Sequence, residues 1–235
     1  MIGFEAFDEI KRLIVVAAHP DDLETMCGGT IYRLAQRGVE IFSVNCTLGD
    51  IGTSDRSLNR NGLADLRKNE TETAASILGI KQTFNLGHPD GELVPDLTLR
   101  AQIANLYRQT QADTLFTFDP FWTGQIHPDH IAASQAAIDA YMPSKMFLYQ
   151  PEQLEAAGAD VGCLERVFLF ASDRDPDVLV DVTAVYPKKI AGCLAHKTQF
   201  ANEKDGLQWM KDLDAGHAKE AEFEYGERFK TLRVW

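Results

Sequence analysis

One short apolar run constrains this chain more than any other feature. Leu13 to Ala18 is continuous, rich in β-branched residues, and bounded by Lys11-Arg12 on one side and His19-Pro20 on the other. Such a run reads as a strand buried on both faces, which needs cover from two sides. The following sequence supplies that cover in alternation. Met26 to Arg37 is helix-like and stops at Gly38; Val39 to Leu48 reads as a strand. Leu63 to Leu78 reads as a helix closed by Gly79, Gln82 to Leu86 as a strand, and Leu97 to Gln109 as a helix. Thr114 to Phe118 is strand-like, and a helix opens near Pro128 and runs to Tyr141. Val167 to Phe170 and Val178 to Val182 are further strands, with mainly helical stretches at Ala184 to Phe200 and Leu207 to Phe223. Repeated β-then-α units predict an α/β fold with a mostly parallel sheet and helices on both faces. In such sheets ligands sit beyond the carboxyl ends of the strands, so those loops hold the functional candidates.

Composition narrows the partners. The net charge of −12 opposes nucleic-acid binding and docking on anionic membranes. Leu13–Ala18 is the longest purely apolar run, far short of the roughly 20 residues of a membrane-spanning helix. The start of the chain carries Glu5, Asp8 and Glu9 rather than the basic residues of a secretory signal. Cys27, Cys46, Cys163 and Cys193 form no close CxxC pair and read as small buried residues in a reducing, cytoplasmic protein. No linker, repeat or low-complexity stretch interrupts the chain, which reads as one domain.

Two motifs carry chemistry. Ala18-His19-Pro20-Asp21-Asp22 directly follows the first strand. One Asp there can bind a metal while the other takes a proton from water; the same residues are also good turn chemistry, with Asp22 free to cap the next helix. His127-Pro128-Asp129-His130 follows the strand Thr114–Phe118 and opens a helix. Pro128 and Asp129 suit a helix start, but that explains neither histidine. Together His19, Asp22 and His130 offer three N/O ligands, the number typical of catalytic zinc.

With these residues the chain resembles the PIG-L/LmbE family of metal-dependent N-acetylglucosaminyl de-N-acetylases. The AHPDD motif stands at Ala18–Asp22, followed by Gly28-Gly29-Thr30, and HPDH is intact at His127–His130. Thr47-Leu48-Gly49-Asp50 with Gly52-Thr53 is similar to the family's T-x-G-E-x-G-T loop, and Arg67 with Glu70 to its Arg-x-x-Glu helix. Asp181-Val182-Thr183, Lys189 and His196-Lys197-Thr198-Gln199 resemble its closing segment. The chain departs from the pattern at Asp50, where Glu is usual, at Thr198, where Ser is usual, and at Leu23, with Glu24 one place later.

The resemblance implies a single Rossmann-like domain over residues 1–235, with His19, Asp22 and His130 holding one Zn²⁺ per site; Fe²⁺ suits similar ligands. It implies Asp21 as the general base toward the attacking water and His127 as the stabiliser of the oxyanion. Asp129 is expected to orient His127 and favour its imidazolium form. Arg67 and Asp90 are the substrate-contact candidates; Arg67 and Glu70 could instead form an (i, i+3) ion pair, and Asp90 could be only a turn residue. His88 stands in an incomplete HPD and reads as loop. His196 reads as structural or as support behind the site, His217 as an exposed residue without a role, and Trp122 as sugar-stacking or core. The implied substrate is a small amino sugar or its conjugate, and a homo-oligomer is compatible with the resemblance. A two-metal phosphoesterase and a non-catalytic α/β ligand-binding module are the competing classes; the absence of G-x-G-x-x-G after the first strand weighs against a nucleotide-binding version.

Overall fold

In the computed structural model, which describes residues 3–158, 160–200 and 206–234, strand β1 (Arg12–Ala17) lies between two parallel neighbours, β2 (Glu40–Thr47) and β4 (Thr114–Phe118). Its side chains divide by parity. Leu13 and Val15 enter one core layer, and Ile14 and Val16 the other. Each such burial contributes roughly 1.5–3 kcal/mol, which explains why the run contains no polar residue. The first layer is closed by Ile31 and Leu34 of α1 (Asp22–Gln36) and Leu78 of α2 (Arg60–Leu78). The second is closed by Ile103 and Tyr107 of α3 (Leu97–Thr110) and Ala133 and Ala137 of α4 (Pro128–Asp139). Helices therefore cover both faces.

The seven strands run in the order β3-β2-β1-β4-β5-β7-β6, with β3 spanning Gln82–His88, β5 Arg166–Phe170, β6 Val178–Asp181 and β7 Gly226–Leu232. β1 to β5 are parallel; β7 is antiparallel to both β5 and β6. The chain leaves β1 toward β2 and β3, then returns on the other side of β1 as β4. The loops after β1 and β4 part at this switch point and open a crevice.

Several elements depart from the sequence reading. α1 begins at Asp22 rather than Met26, and its backbone breaks at Cys27 (φ −145°, ψ 18°). β7 is not foreshadowed by hydropathy, because Gly226-Glu227-Arg228-Phe229-Lys230 alternates charge with a single aromatic. The short helices α5 (Tyr141–Lys145) and α6 (Pro151–Ala157) were likewise not signalled. Toward the C-terminus α7 (Tyr186–Ala195) and α8 (Gln208–Ala218) are each shorter than the helical stretch expected there. Cys27, Cys46 and Cys193 are buried, while Cys163 is exposed. No helix among the described residues is long and apolar enough to cross a membrane.

Candidate active site

The turn after β1 is built around its two aspartates. Asp21 precedes α1 with φ 94°, a left-handed conformation that costs a residue with a side chain of order 1–3 kcal/mol. Its carbonyl accepts from the Thr25 amide and hydroxyl, both at 3.1 Å, so its side chain is not spent on capping. Asp22 does not cap the helix either. Its Oδ2 turns back to accept from the Ala18 amide at 3.1 Å and the His19 amide at 2.8 Å. The same carboxylate stands 3.5 Å from His19 Nδ1 and 3.3 Å from His130 Nε2. The turn thus delivers two adjacent carboxylates in different directions, one toward two imidazoles and one toward a cavity.

The second motif arrives on the loop after β4. His127 caps α4: its Nδ1 accepts from the Asp129 amide at 3.2 Å, and Pro128 occupies the first turn. With Nδ1 accepting, the neutral ring carries its proton on Nε2. The Asp129 carboxylate takes a different path from the one expected. Oδ2 lies 3.2 Å from His19 Nε2 and accepts from the Gly91 amide at 2.7 Å, while Oδ1 accepts from the Leu93 amide at 3.2 Å. Asp129 therefore orients His127 through its main chain and braces His19 with its side chain. Nor does it make His127 an imidazolium. Burial, joined by the charges on His130 and His19, lowers the His127 pKa despite the opposing pull of Asp129 and Asp22. The rings of Phe118, His130 and His127 stack in sequence, at centroid distances of 4.0 and 4.3 Å and interplanar angles of 11° and 15°.

The titratable groups of the two motifs perturb one another strongly. Burial opposes the charged form of His19, yet Asp22 and Asp90 outweigh it and push its pKa up to about 11. Burial would raise the Asp22 carboxyl, but His130 and His19 hold it well below the usual carboxylate range. Asp21 behaves oppositely: burial, reinforced by the charge on Asp22, pushes it up to about 7, while His196 and Arg67 pull it back. Donors of the kind a divalent metal takes gather here. Ligands at 2.0–2.2 Å around a tetrahedral zinc are about 3.4 Å apart. Asp22 meets His130 Nε2 through Oδ1 at 3.3 Å and His19 Nδ1 through Oδ2 at 3.5 Å. Ring nitrogens of His19, His127 and His130 lie within 4.8 Å of one another, as do donor atoms of His19, Asp90 and Asp129. Among the described residues the buried Nδ1 of His130 has no hydrogen-bond partner.

A cavity of about 350 Å³ opens beside these groups, lined by His19, Asp21, Arg67, Asp90, His127 and Gln199 among others. Asp90 is more than a turn residue. Its Oδ1 stands 3.1 Å from His19 Nε2 and its Oδ2 accepts from the Ile51 amide at 3.2 Å. Arg67 is buried and donates to the Gly52 carbonyl at 2.9 Å. Gly49 is required there: at φ +64° it passes so close that a Cβ would lie 1.8 Å from an Arg67 guanidinium nitrogen. Glu70 is not taken up by Arg67 but accepts from the Thr198 amide and hydroxyl at 2.9 and 2.6 Å. Asp50 pairs with Arg60 at 2.6 Å.

Some residues behave otherwise than their sequence suggested. Gln199 lines the cavity and donates to the Gly52 carbonyl at 2.8 Å; only the H-K-T-Q segment hinted at it. His196 is fully buried with Nε2 3.3 Å from Glu24 Oε1, and acts on Asp21 through its charge. Glu24 itself was seen only as a departure from the motif. His217 is half-buried rather than exposed, with Nδ1 bonded to the Gly226 carbonyl at 3.1 Å. His88 ends β3 and bonds Gln102 at 2.6 Å, away from the histidine cluster. Trp122 lines a separate cavity beside His130.

The family model described as PIG-L: GlcNAc-PI de-N-acetylase matches residues 14–141. Diacetylchitobiose deacetylase of Thermococcus kodakarensis is 28% identical over 199 residues, covering 85% of this chain and 74% of that protein. The 1D-myo-inositol 2-acetamido-2-deoxy-alpha-D-glucopyranoside deacetylase of Mycobacteroides abscessus is 30% identical over 236 residues, covering 83% and 84%. The structure of N,N'-diacetylchitobiose deacetylase from Pyrococcus horikoshii, complexed with its inhibitor MPG, matches with a TM-score of 0.90 at 28% identity, covering 96% of this chain and 85% of that one.

Proposed function

The chain belongs to the PIG-L family of GlcNAc-PI de-N-acetylases, and on that premise we propose that it is a zinc-dependent hydrolase removing the N-acetyl group from an N-acetylglucosamine-containing small molecule or conjugate. We read residues 1–235 as one de-N-acetylase domain. The observation that carries the reading is the meeting of the two motifs on Asp22, 3.3 Å from His130 and 3.5 Å from His19, with Asp21 left free beside a polar cavity.

In this reading His19, Asp22 and His130 hold the ion. A divalent metal there supplies Lewis-acid polarisation and acidifies water. Asp21 takes a proton from the attacking water at its carboxylate. His127 offers Nε2–H to the amide oxygen as it becomes negative. Asp129 keeps both histidines in register, His127 through its amide and His19 through Oδ2. The amine leaves only as it is protonated, so the proton taken up by Asp21 passes to the nitrogen as the C–N bond breaks. Arg67, Asp90 and Gln199 offer donors and acceptors to sugar hydroxyls.

An acetate-release screen tests this. The panel is N-acetylglucosamine, N,N'-diacetylchitobiose and N-acetylglucosaminyl conjugates of inositol and malate, each with chelator, Zn²⁺ or Fe²⁺. Release that chelator abolishes and Zn²⁺ restores supports the reading. Metal-replete protein that frees no acetate from any of them overturns it.

A further inference from the structure

The three polar side chains offered to the sugar above all hold one stretch of main chain. Residues 48–59 join β2 to α2 without regular structure, a long connection of the kind that carries function. Within it the Ile51 amide donates to Asp90 Oδ2 at 3.2 Å. The Gly52 carbonyl accepts from Arg67 Nη2 at 2.9 Å and from Gln199 Nε2 at 2.8 Å. Those two donors fill both lone pairs of that carbonyl. Gln199 Nε2 gives its second hydrogen to the Thr198 carbonyl at 3.0 Å. With both hydrogens of the amide donated, Oε1 is what Gln199 has left for a ligand, and it takes a donor such as a sugar hydroxyl. Ile51, 52% exposed, puts an apolar side chain into a cavity wall otherwise made of polar residues and glycine. Ile51 and Gly52 form a lip on the cavity of Asp21.

Gln199 stands on no helix. α7 ends at Ala195, and the next turn is closed by the Gln199 and Phe200 amides, each 2.9 Å from the His196 carbonyl. Glu70 of α2 ties that turn to the fold. Its carboxylate accepts from the Thr198 amide at 2.9 Å and from the Thr198 hydroxyl at 2.6 Å. Arg67 and Glu70 stand three apart on α2, the spacing of an ion pair, yet each turns to a different segment. Arg67 takes the loop after β2 and Glu70 the turn after α7, and the two segments meet at the Gly52 carbonyl. We propose that Glu70 is a positioning residue for the amino-sugar half of the site: through Thr198 it fixes Gln199, and Gln199 with Arg67 locks the lip of Ile51 and Gly52 beside which the sugar binds. This role rests on the amide-hydrolase reading above and adds to it a residue that acts only through Gln199 and the lip.

Glu70→Ala and Thr198→Val break the link without removing a cavity residue, and Thr198→Ser keeps its hydroxyl. Acetate-release kinetics of the zinc-loaded proteins, on the conjugate of the panel above that is cleaved fastest, are measured beside hydrogen exchange at the Ile51 and Gly52 amides. KM should rise about tenfold in Glu70→Ala and about threefold in Thr198→Val, with kcat within about twofold, because the lock serves binding and not the bond-breaking step. Exchange at the two amides should quicken by similar factors. Thr198→Ser should return both to the values of the unsubstituted protein. A purely structural tie would lower the urea midpoint and leave the ratio of KM to kcat alone. A KM that stays within about twofold, or amides that exchange as before, overturns the role. Thr198→Val decides the matter where Glu70→Ala does not fold. If the unsubstituted protein cleaves no amide, the hydrolase reading falls and exchange alone decides the lock: quickening at Ile51 and Gly52 in Thr198→Val upholds it, and unchanged exchange overturns it.

Discussion

Two clusters of buried charge meet α1, one at its start and one just past its break, and they are built on opposite principles. Around Lys189 the charges are closed. Its ammonium sits 2.7 Å from Asp214 and 2.9 Å from Glu227, with all three side chains at most 3% exposed. Glu227 also accepts from the Gly29 and Thr30 amides at 2.9 and 2.7 Å, the donors freed where α1 breaks at Cys27. Tyr186 donates to Asp214 at 2.8 Å. Around His19 the charges stay open: Asp22, Asp90 and Asp129 converge on one imidazole, and the buried Nδ1 of His130 has no hydrogen-bond partner among the described residues. The first cluster satisfies itself; the second, in the function proposed above, is completed by a cation and a substrate.

Breaking the open cluster should cost activity first. Asp22→Ala removes the carboxylate shared by His19 and His130; metal content by elemental analysis should fall and turnover drop to background. Asp21→Ala should keep the metal and lose about 10²–10⁴-fold in kcat; near-wild-type turnover would refute its role as base. Breaking the closed cluster should cost stability first. Lys189→Met leaves two buried carboxylates without their cation, and urea unfolding should show a loss of about 3–5 kcal/mol. If that variant unfolds normally but loses turnover, the contrast between the clusters fails.

Two smaller effects sharpen the contrast. Gly49→Ala drives a Cβ into Arg67 and should raise KM roughly tenfold, about 1.4 kcal/mol, with little change in metal content. His217 tests a buried group without an ion partner. Its pKa falls from 6.5 unfolded to about 4 folded, so the unfolded chain binds the extra proton. Its contribution is present above pH 6.5 and is lost as pH falls toward 4. Urea midpoints across that window should decline less in His217→Gln than in the unsubstituted protein.

Much of this was legible along the chain. The strand Leu13–Ala18 and the histidine motifs are local signals, because a doubly buried strand forces a continuous apolar run and the turn residues follow at once. The caps Asn59 and Asp96, which accept from Gly62 and Leu99 at 2.9 and 2.8 Å, are local too, although apolar periodicity alone does not single them out. What escaped notice depended on distant partners. Glu227 looks like a surface charge in a polar alternating segment, and only Lys189 together with the α1 break gives it a buried place. The carboxylate of Asp129 belongs by sequence to its neighbour His127, yet the loop after β3 carries Gly91 and Leu93 to it and turns it toward His19.

The sequence by itself determined the sheet's central strands, the two motifs and the chemistry they resemble, since periodicity and turn composition are written in consecutive residues. Only the tertiary structure decided which groups those motifs face. The switch point between β1 and β4 placed the motifs on one carboxylate, antiparallel pairing drew β7 between β5 and β6, and the Phe118–His130–His127 stack parted the cavity of Asp21 from that of Trp122. Those outcomes depend on directional contacts between segments up to about two hundred residues apart in the chain, and no local pattern encodes them.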